Sequence, residues 1–374
     1  MSNQRAFPLE LLQQPSSEKL TYFKGITVPH KNLKEVLNVL KTNILEPADT
    51  SLFLVFGSTG IGKTTLRLRL EKLILEEFLE ELRQNPGLIA VAGVEVNSPA
   101  QGKFNQSDYY IRVLESLNEV LISYKVDYAI SDDPSGDLKP VPKTKQNNAA
   151  ALRRSMEKAF THRQLKAFMV DEAQHLFAMA GGHQLLNQMN WIKSIANLTK
   201  TVHVLFGTYE LLNCFTVNGQ VGRRSQDIHL ARYHREFPQD LAEYSRVIQT
   251  FQRYCPLPKE PQLENHCEYF IDYSVGCIGI LKNWFVRALR ISLEEDAKTL
   301  ILQHFQKTEL SPARRKQIRQ EAESGEKRLE ELLKDDEEIY NSNSNKKRST
   351  QSRNQRLGER KPQRDPVGID SYEN

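Results

Sequence analysis

The feature that most constrains this chain is an alternation running from residue 51 to about residue 232, in which short, continuously apolar runs are separated by stretches of helical period. Leu52-Phe53-Leu54-Val55-Phe56 is the first such run and ends at Gly57. An apolar run without polar alternation suits a strand covered on both faces, as in a parallel sheet. Leu88 to Val96, Phe168-Met169-Val170, Val202-His203-Val204-Leu205-Phe206 and the shorter Ile228-His229-Leu230 repeat the pattern. Between them, a helix runs from Lys63 to about Gln84 and stops at Asn85-Pro86-Gly87. A second is capped by Ser107 or Asp108, with Ile111, Leu114 and Leu117 on one face, and a basic helix covers Leu152 to Arg163. Parallel strands require crossover connections, so the order predicts an α/β fold with a doubly wound, mostly parallel, five-stranded sheet. Ser131 to Asn148 holds three prolines, a glycine and no apolar period, and reads as a surface loop.

The flanks differ. Residues 1–50 form an extension in which Tyr22 to His30 reads as extended chain, followed by Leu33, Val36, Leu37 and Leu40 at helical spacing. With residues 51–237 as the α/β domain, residues 238–308 turn wholly helical, most clearly over Asp240–Phe251 and Leu281–Leu293, which predicts a small helical lid subdomain. Residues 309–374 begin as a charged helix at Arg314-Arg315-Lys316. They end in a basic tail, Asn341 to Asn374, with eight Lys or Arg against four acids and almost no large apolar residue. Such a segment cannot bury a core and is expected to be disordered alone.

Composition excludes more than it selects. No apolar stretch reaches the roughly 20 residues of a membrane span, and Met1 to Pro15 lacks the basic start and apolar block of a secretory signal, so a cytoplasmic protein is expected. Cys214, Cys255, Cys267 and Cys277 show neither zinc-ribbon nor disulfide-framework spacing. The net charge of +4 permits nucleic acid as a partner without arguing for it.

Gly57-Ser58-Thr59-Gly60-Ile61-Gly62-Lys63-Thr64, with Thr65 beyond it, satisfies G-x-x-x-x-G-K-[ST] between a strand and a helix, which is the context a P-loop needs. The glycines let backbone N–H groups turn inward around the phosphates of ATP, and the helix N-terminus adds positive potential. Lys63 is expected to reach the β- and γ-phosphates and Thr64 to bind Mg²⁺. Asp171 and Glu172 end the Phe168–Val170 strand, which is expected beside the P-loop strand; Asp171 would hold the Mg²⁺ through water and Glu172 would polarise the attacking water. An adjacent Asp-Glu pair favours hydrolysis over phosphoryl transfer to a small-molecule acceptor. Thr208, after Phe206-Gly207, either meets the γ-phosphate or lytic water or caps the helix carrying Leu211 and Leu212. The two are compatible. Arg223 and Arg224, after Gly222, are either reachers for a neighbouring protomer's phosphate or a solvated basic turn. Lys282, one turn after Gly276-Cys277-Ile278-Gly279, either touches the nucleotide from the lid or lies on the surface. Lys103 in a polar loop, and Arg153 and Arg154 on the basic helix, offer donors for a DNA backbone. The alternative pairs both arginines with Glu157.

In order and approximate spacing, Gly57–Thr64, Phe168–Glu172, Phe206–Thr208, Arg223-Arg224 and Gly276–Lys282 resemble the Walker A, Walker B, sensor 1, arginine finger and sensor 2 of an AAA+ ATPase. More narrowly, several segments resemble the AAA+ regulators of bacterial DNA transposition, the TnsC/TniB group of Tn-type and CRISPR-associated transposons. These are Tyr22–Asn32, Gly57–Leu66, Val170-Asp171-Glu172-Ala173-Gln174-His175-Leu176, Phe206-Gly207-Thr208 and the basic stretch Arg360–Gly368. The resemblance implies ATP-dependent homo-oligomerisation, as a ring or helical filament, on the backbone of double-stranded DNA. It implies contact with a target-selector protein and, through the C-terminal tail, with a transposase, and disassembly on hydrolysis. It places Lys103 at the DNA and makes Arg223 or Arg224 the finger acting in trans. One departure stands out: the sensor 2 position holds Lys282, a point charge, where an arginine fork is usual. A helicase loader or replication initiator that remodels a protein partner is the rival reading.

Overall fold

The computed structural model describes residues 5–99, 104–122, 128–132, 138–142, 149–177, 182–214 and 225–348. Seven strands occur among them: β1 (Leu52–Phe56), β2 (Val91–Glu95), β3 (Tyr128–Asp132), β4 (Leu138–Pro142), β5 (Ala167–Asp171), β6 (Val202–Gly207) and β7 (Ser225–His229). Five of them form one sheet in the order β2-β5-β6-β1-β7, every pairing parallel. All residues of β1, β5 and β6 are buried. That is the physical content of their unbroken apolar runs: helices cover both faces, and a polar side chain on either would be stranded. The helices that flank the sheet are α2 (Lys31–Leu45), α3 (Lys63–Glu77), α4 (Leu79–Gln84), α5 (Gln106–Ser116), α6 (Ala149–His162) and α7 (Gly182–Thr199); α1 (Ser16–Gly25) precedes them.

Several local expectations are corrected. The strand carrying Asp171 does not lie beside β1, because β6 intervenes. Right-handed crossovers fix the hand of each connection but not which neighbour a strand chooses. The stretch read as one helix to Gln84 breaks at Phe78, between α3 and α4. Helix α5 is capped by Asn105, whose side chain accepts from the backbone N–H of Ser107 and Asp108 at 3.0 and 3.2 Å, rather than by either of those residues. Within the stretch read as a loop, β3 and β4 pair antiparallel.

A second hydrophobic cluster is helical. α8 (Pro238–Tyr254), α9 (Cys267–Tyr273), α10 (Ile278–Glu294) and α11 (Leu302–Gln306) pack around Phe251, Phe270, Trp284, Phe285 and Phe305, and Phe23 of α1 is buried in the same cluster. Phe270, Phe285 and Phe305 meet edge-to-face or tilted, with centroids 4.8 to 6.0 Å apart. The N-terminal segment is tied there too, with Arg5 donating to the carbonyls of Leu257 and Pro258 at 2.7 and 2.9 Å. The last helix, α12, runs Pro312–Arg348 and so takes in residues 341–348 of the basic tail. By contacts the chain divides into two units, Met1–Glu326 and Lys327–Asn374. No helix among the described residues is long and apolar enough to cross a membrane. All four cysteines are free and buried.

Candidate functional site

The register of the parallel sheet brings the site together. Phe56 pairs with Gly207, and Val170 pairs with Leu205, so the carboxyl ends of β1, β6 and β5 stop at nearly one level. Ligands of open α/β sheets bind beyond these carboxyl ends. A cleft of about 590 Å³ opens there, lined by Thr59, Gly60, Gly62, Lys63, Thr64 and Thr65 of the glycine loop, by Glu172, Gln174 and Thr208 of the neighbouring strand tips, and by Lys24, Gly279, Lys282, Asn283 and Val286.

The loop's glycines answer separate needs. Gly57 packs against the Leu230 carbonyl, which a Cβ would approach to 2.6 Å. Gly60 and Gly62 have φ of +78° and +116°, where side chains are strained, and nothing lies within 4 Å of a Cβ at Gly62, which leaves the cradle open. Gly279, at the start of α10, is forced by the Gly60 carbonyl, which its Cβ would meet at 2.5 Å, and Ile280 N–H donates to that carbonyl at 3.1 Å. The helical lid is thus seated directly on the loop, a contact for which the sequence offered only the pair Gly276 and Gly279. Ser58 is buried, its hydroxyl 3.3 Å from Cys277 Sγ, and Ile61 points into the sheet core.

Lys63 is buried, and its ammonium donates to the carbonyls of Gly57 and Ser58 at 2.9 and 3.0 Å. Burial pushes its pKa below the ordinary lysine value, against the pull of Glu172, Glu321 and Asp171. An incoming polyphosphate would replace those carbonyls with full negative charges. Asp171 is 2% exposed; its carboxylate accepts from Arg67 Nε at 3.2 Å and from the Glu172 backbone N–H at 3.0 Å. Arg67 in turn bonds Glu71 at 2.6 Å. With the Thr64 hydroxyl on the first turn of α3, Asp171 supplies the hard oxygen donors that Mg²⁺ takes alongside phosphate and water, so the residues present fit that ion. Among the described residues no cluster of three or more His, Cys, Asp or Glu could hold a metal by itself.

Glu172 occupies the left-handed region with φ +52°, a conformation that costs a non-glycine residue free energy and recurs at functional sites. Gln174 holds its side chain. Nε2 donates to Glu172 Oε2 at 2.6 Å, while Oε1 accepts from the Thr208 backbone N–H at 3.3 Å. Gly207 makes the arrangement possible, since a Cβ there would lie 2.8 Å from Gln174 Oε1. The intervening β6 therefore sets Thr208 between the glycine loop and Glu172, with Gln174 spanning the gap. Thr208 lines the cleft, and its hydroxyl also accepts from Glu210 N–H at 3.4 Å, so the capping role is realised.

Lys282 lines the cleft, and its ammonium donates to the carbonyls of Lys24, at 2.7 Å, and Ile26. Burial lowers its pKa. Its charge is engaged by the end of α1, and it closes the lid side of the cleft through that contact. Arg153 lies away from the cleft on α6, bonded to Glu157 at 2.7 Å and to Ser194 at 3.1 Å, so the pairing alternative is realised for it; Arg154 is its neighbour on that helix. Lys103, Arg223 and Arg224 lie outside the described residues. Gln174, Arg67 and Glu321 contribute to the site without having been singled out. Gln174 sat in the Asp-Glu-Ala-Gln run but is uncharged, and Arg67 carried the signal of lying one helical turn beyond the P-loop lysine.

The comparisons with known proteins agree with this geometry. Residues 48–215 match the family model of the AAA domain. The structure is similar to the ORC2 protein of Aeropyrum pernix in its ADPNP–ADP complexes, at 14% identity and TM-score 0.51, covering 78% of this chain and 72% of that one. It is also similar to the Aeropyrum pernix ORC1 protein in complex with DNA, at 15% identity and TM-score 0.50, covering 75% and 65%. No curated protein matches the sequence at a significant level. Five parallel strands, the glycine loop and the helical cluster define an AAA+ P-loop ATPase fold, and the match of residues 48–215 to the AAA domain supports nucleotide binding at the glycine loop.

Proposed function

We propose that this protein is a Mg-ATP-dependent ATPase whose nucleotide state governs its assembly on duplex DNA, and that it acts as a regulator of DNA transposition. The observation that carries the ATPase reading is the Glu172–Gln174–Thr208 bridge facing Lys63 and Thr64 across one cleft. In this reading the loop N–H groups and Lys63 hold the phosphates, and Thr64 and Asp171 position Mg²⁺. Glu172 accepts a proton from the attacking water, and Gln174 keeps that carboxylate aimed. Mg²⁺ supplies charge neutralisation at the phosphates. An acid that lines a water-accessible cleft serves hydrolysis.

Assembly and DNA contact are supported by the resemblance of Val170–Leu176 and Arg360–Gly368 to the transposition regulators. The fold likeness to an ORC1 protein crystallised with DNA adds to this. Arg223 or Arg224 then completes a neighbour's site, and such head-to-tail contacts make rings or filaments. Lys103 and Arg154 contact phosphates, and the tail beyond Asn341 recruits the transposase, with a target selector bound elsewhere on the assembly. The fold likeness to ORC proteins equally favours an initiator that remodels a protein partner. Deleting residues 341–374 tests between them. ATPase activity and DNA-bound assembly should persist while transposase recruitment is lost. Normal recruitment with poor DNA binding would make the tail a DNA clamp and remove the transposition reading's support at this end.

A further inference from the structure

Helix α12 reaches the nucleotide cleft from far along the chain. Between Pro312 and Glu326 it buries Ile318 and Ala322. Gly325 lies so close to the Tyr209 ring that a Cβ would come within 2.2 Å of it, so the helix seats at a depth only glycine allows. One residue on, Glu326 takes Arg232 in a two-pronged ion pair at 2.8 and 2.9 Å, with the two side chains 16% and 11% exposed. A fork-on-carboxylate pair of this kind fixes direction as well as distance. Seating and fork together set the helix's rotation, and the consequence falls one turn earlier. Glu321 Oε1 accepts from the Thr59 backbone N–H at 3.1 Å and from the Thr59 hydroxyl at 2.8 Å. Thr59 is part of the glycine loop and lines the cleft.

We infer that Glu321 is a nucleotide-discriminating residue: its carboxylate, held on Thr59 at the rim of the phosphate cradle, opposes the terminal phosphate of a triphosphate and tolerates a diphosphate. The inference rests on Gly57–Thr64 being that cradle. Two anions cannot share the loop's donors without mutual repulsion, and moving the Glu321 carboxylate aside breaks both of its bonds to Thr59. The charge of Glu321 is also felt at Lys63, where it acts alongside Glu172. A triphosphate therefore binds by loosening Glu321 from Thr59, and with it the grip of residues 312–326. By linkage the effect is reciprocal: whatever factor Glu321 takes from triphosphate affinity, bound triphosphate takes from the docking of α12.

The test uses the full chain and two probes, ADP and the non-hydrolysable analogue AMP-PNP, each with Mg²⁺ and measured by calorimetry. Glu321→Gln keeps the side chain's size and an accepting oxygen but removes the charge. AMP-PNP should bind about fivefold more tightly to the variant, the order expected of one partly exposed charge contact, while ADP affinity changes by less than half that factor. An equal shift for both ligands, no shift, or weaker AMP-PNP binding would overturn the inference. Should the variant fail to fold, amide hydrogen exchange on the unaltered protein decides instead. Residues 312–326 should exchange faster with AMP-PNP than with ADP, and equal protection counts against the inference. Failure of the unaltered protein to bind either nucleotide would instead sink the cradle itself, so the two failures are distinguishable.

Discussion

Gln174→Leu isolates the bridge over the cleft. Leucine has similar bulk and Gln174 is only 8% exposed, so packing should survive while both polar contacts vanish. The lost bond to Glu172, at 2.6 Å, has a charged acceptor. Hydrogen bonds to charged groups contribute about 1.5–3 kcal/mol, and the whole of that, expressed in the transition state, lowers kcat roughly 10- to 150-fold. Nucleotide affinity should stay within about twofold, because Gln174 aims Glu172 at the water and leaves the loop's phosphate donors untouched. Steady-state ATPase assays with a fluorescent-nucleotide titration separate the two quantities. Gln174→Glu adds a signature that a merely structural residue would not give. Two carboxylates at that distance cannot both ionise, so the pair shares a proton and its upper apparent pKa rises. The rate of this variant should therefore climb with pH through a range where the unaltered protein is flat. An unchanged or faster kcat in Gln174→Leu would refute the positioning role, and a faster one would show that Gln174 restrains Glu172 instead.

Lys63→Ala should abolish nucleotide binding in a fluorescence titration, since the phosphates lose the cation now parked on the Gly57 and Ser58 carbonyls. Glu172→Gln should bind ATP normally and stop turning over; equal hydrolysis rates would remove Glu172 from the mechanism. Burial lowers the pKa of both His30 and His203 from 6.5 to about 4. Both are thus neutral in the fold while the unfolded chain takes up protons below pH 6.5, so stability is full above that pH and falls towards pH 4. The loss is on the order of 3 kcal/mol per histidine. Urea midpoints at pH 7 and pH 4 measure it, and His203→Asn should flatten the slope. Duplex affinity should fall steeply with salt, and Lys103→Ala should weaken all sequences alike in a filter-binding assay; loss on selected sequences only would mean base reading.

The five strands of the parallel sheet and the glycine loop were legible because their causes are local, whereas β3 and β4 were read as loop. A strand buried on both faces is mostly apolar, and a phosphate cradle needs glycine where φ is positive, as at Gly60 and Gly62. Strand order was not legible, because the placing of β6 between β1 and β5 depends on pairings that no short window encodes. Thr208 is for that reason a closer neighbour of Glu172 than the linear motifs suggest. The cap at Asn105 was missed by two or three residues, since Asn, Ser and Asp all cap well and only geometry chooses among them. Gln174 escaped because a neutral amide announces no chemistry until its two partners are seen. Glu321 escaped for a different reason: its partner Thr59 is 262 positions away, and its own surroundings read as one more charged helix face.

The charges gathered from these distant places make a further demand. Arg67 is engaged by Asp171 and Glu71, and the Lys282 ammonium by the carbonyls of Lys24 and Ile26. Among the described residues, Lys63 is the buried cation of the glycine loop, facing Glu172 and Glu321, with Lys24 also on the cleft lining. A triphosphate brings several negative charges towards Glu172 and Glu321, so a divalent cation, which Thr64 and Asp171 would hold, is needed for binding as well as for hydrolysis. Chelating Mg²⁺ should therefore weaken AMP-PNP far more than ADP, and part of the difference should disappear in Glu321→Gln, where one opposing charge is gone. Calorimetry with and without EDTA reads both effects. Equal weakening of the two nucleotides would mean that the cation serves the β-phosphate alone, and that the acids of the cleft are screened from the γ-phosphate by solvent.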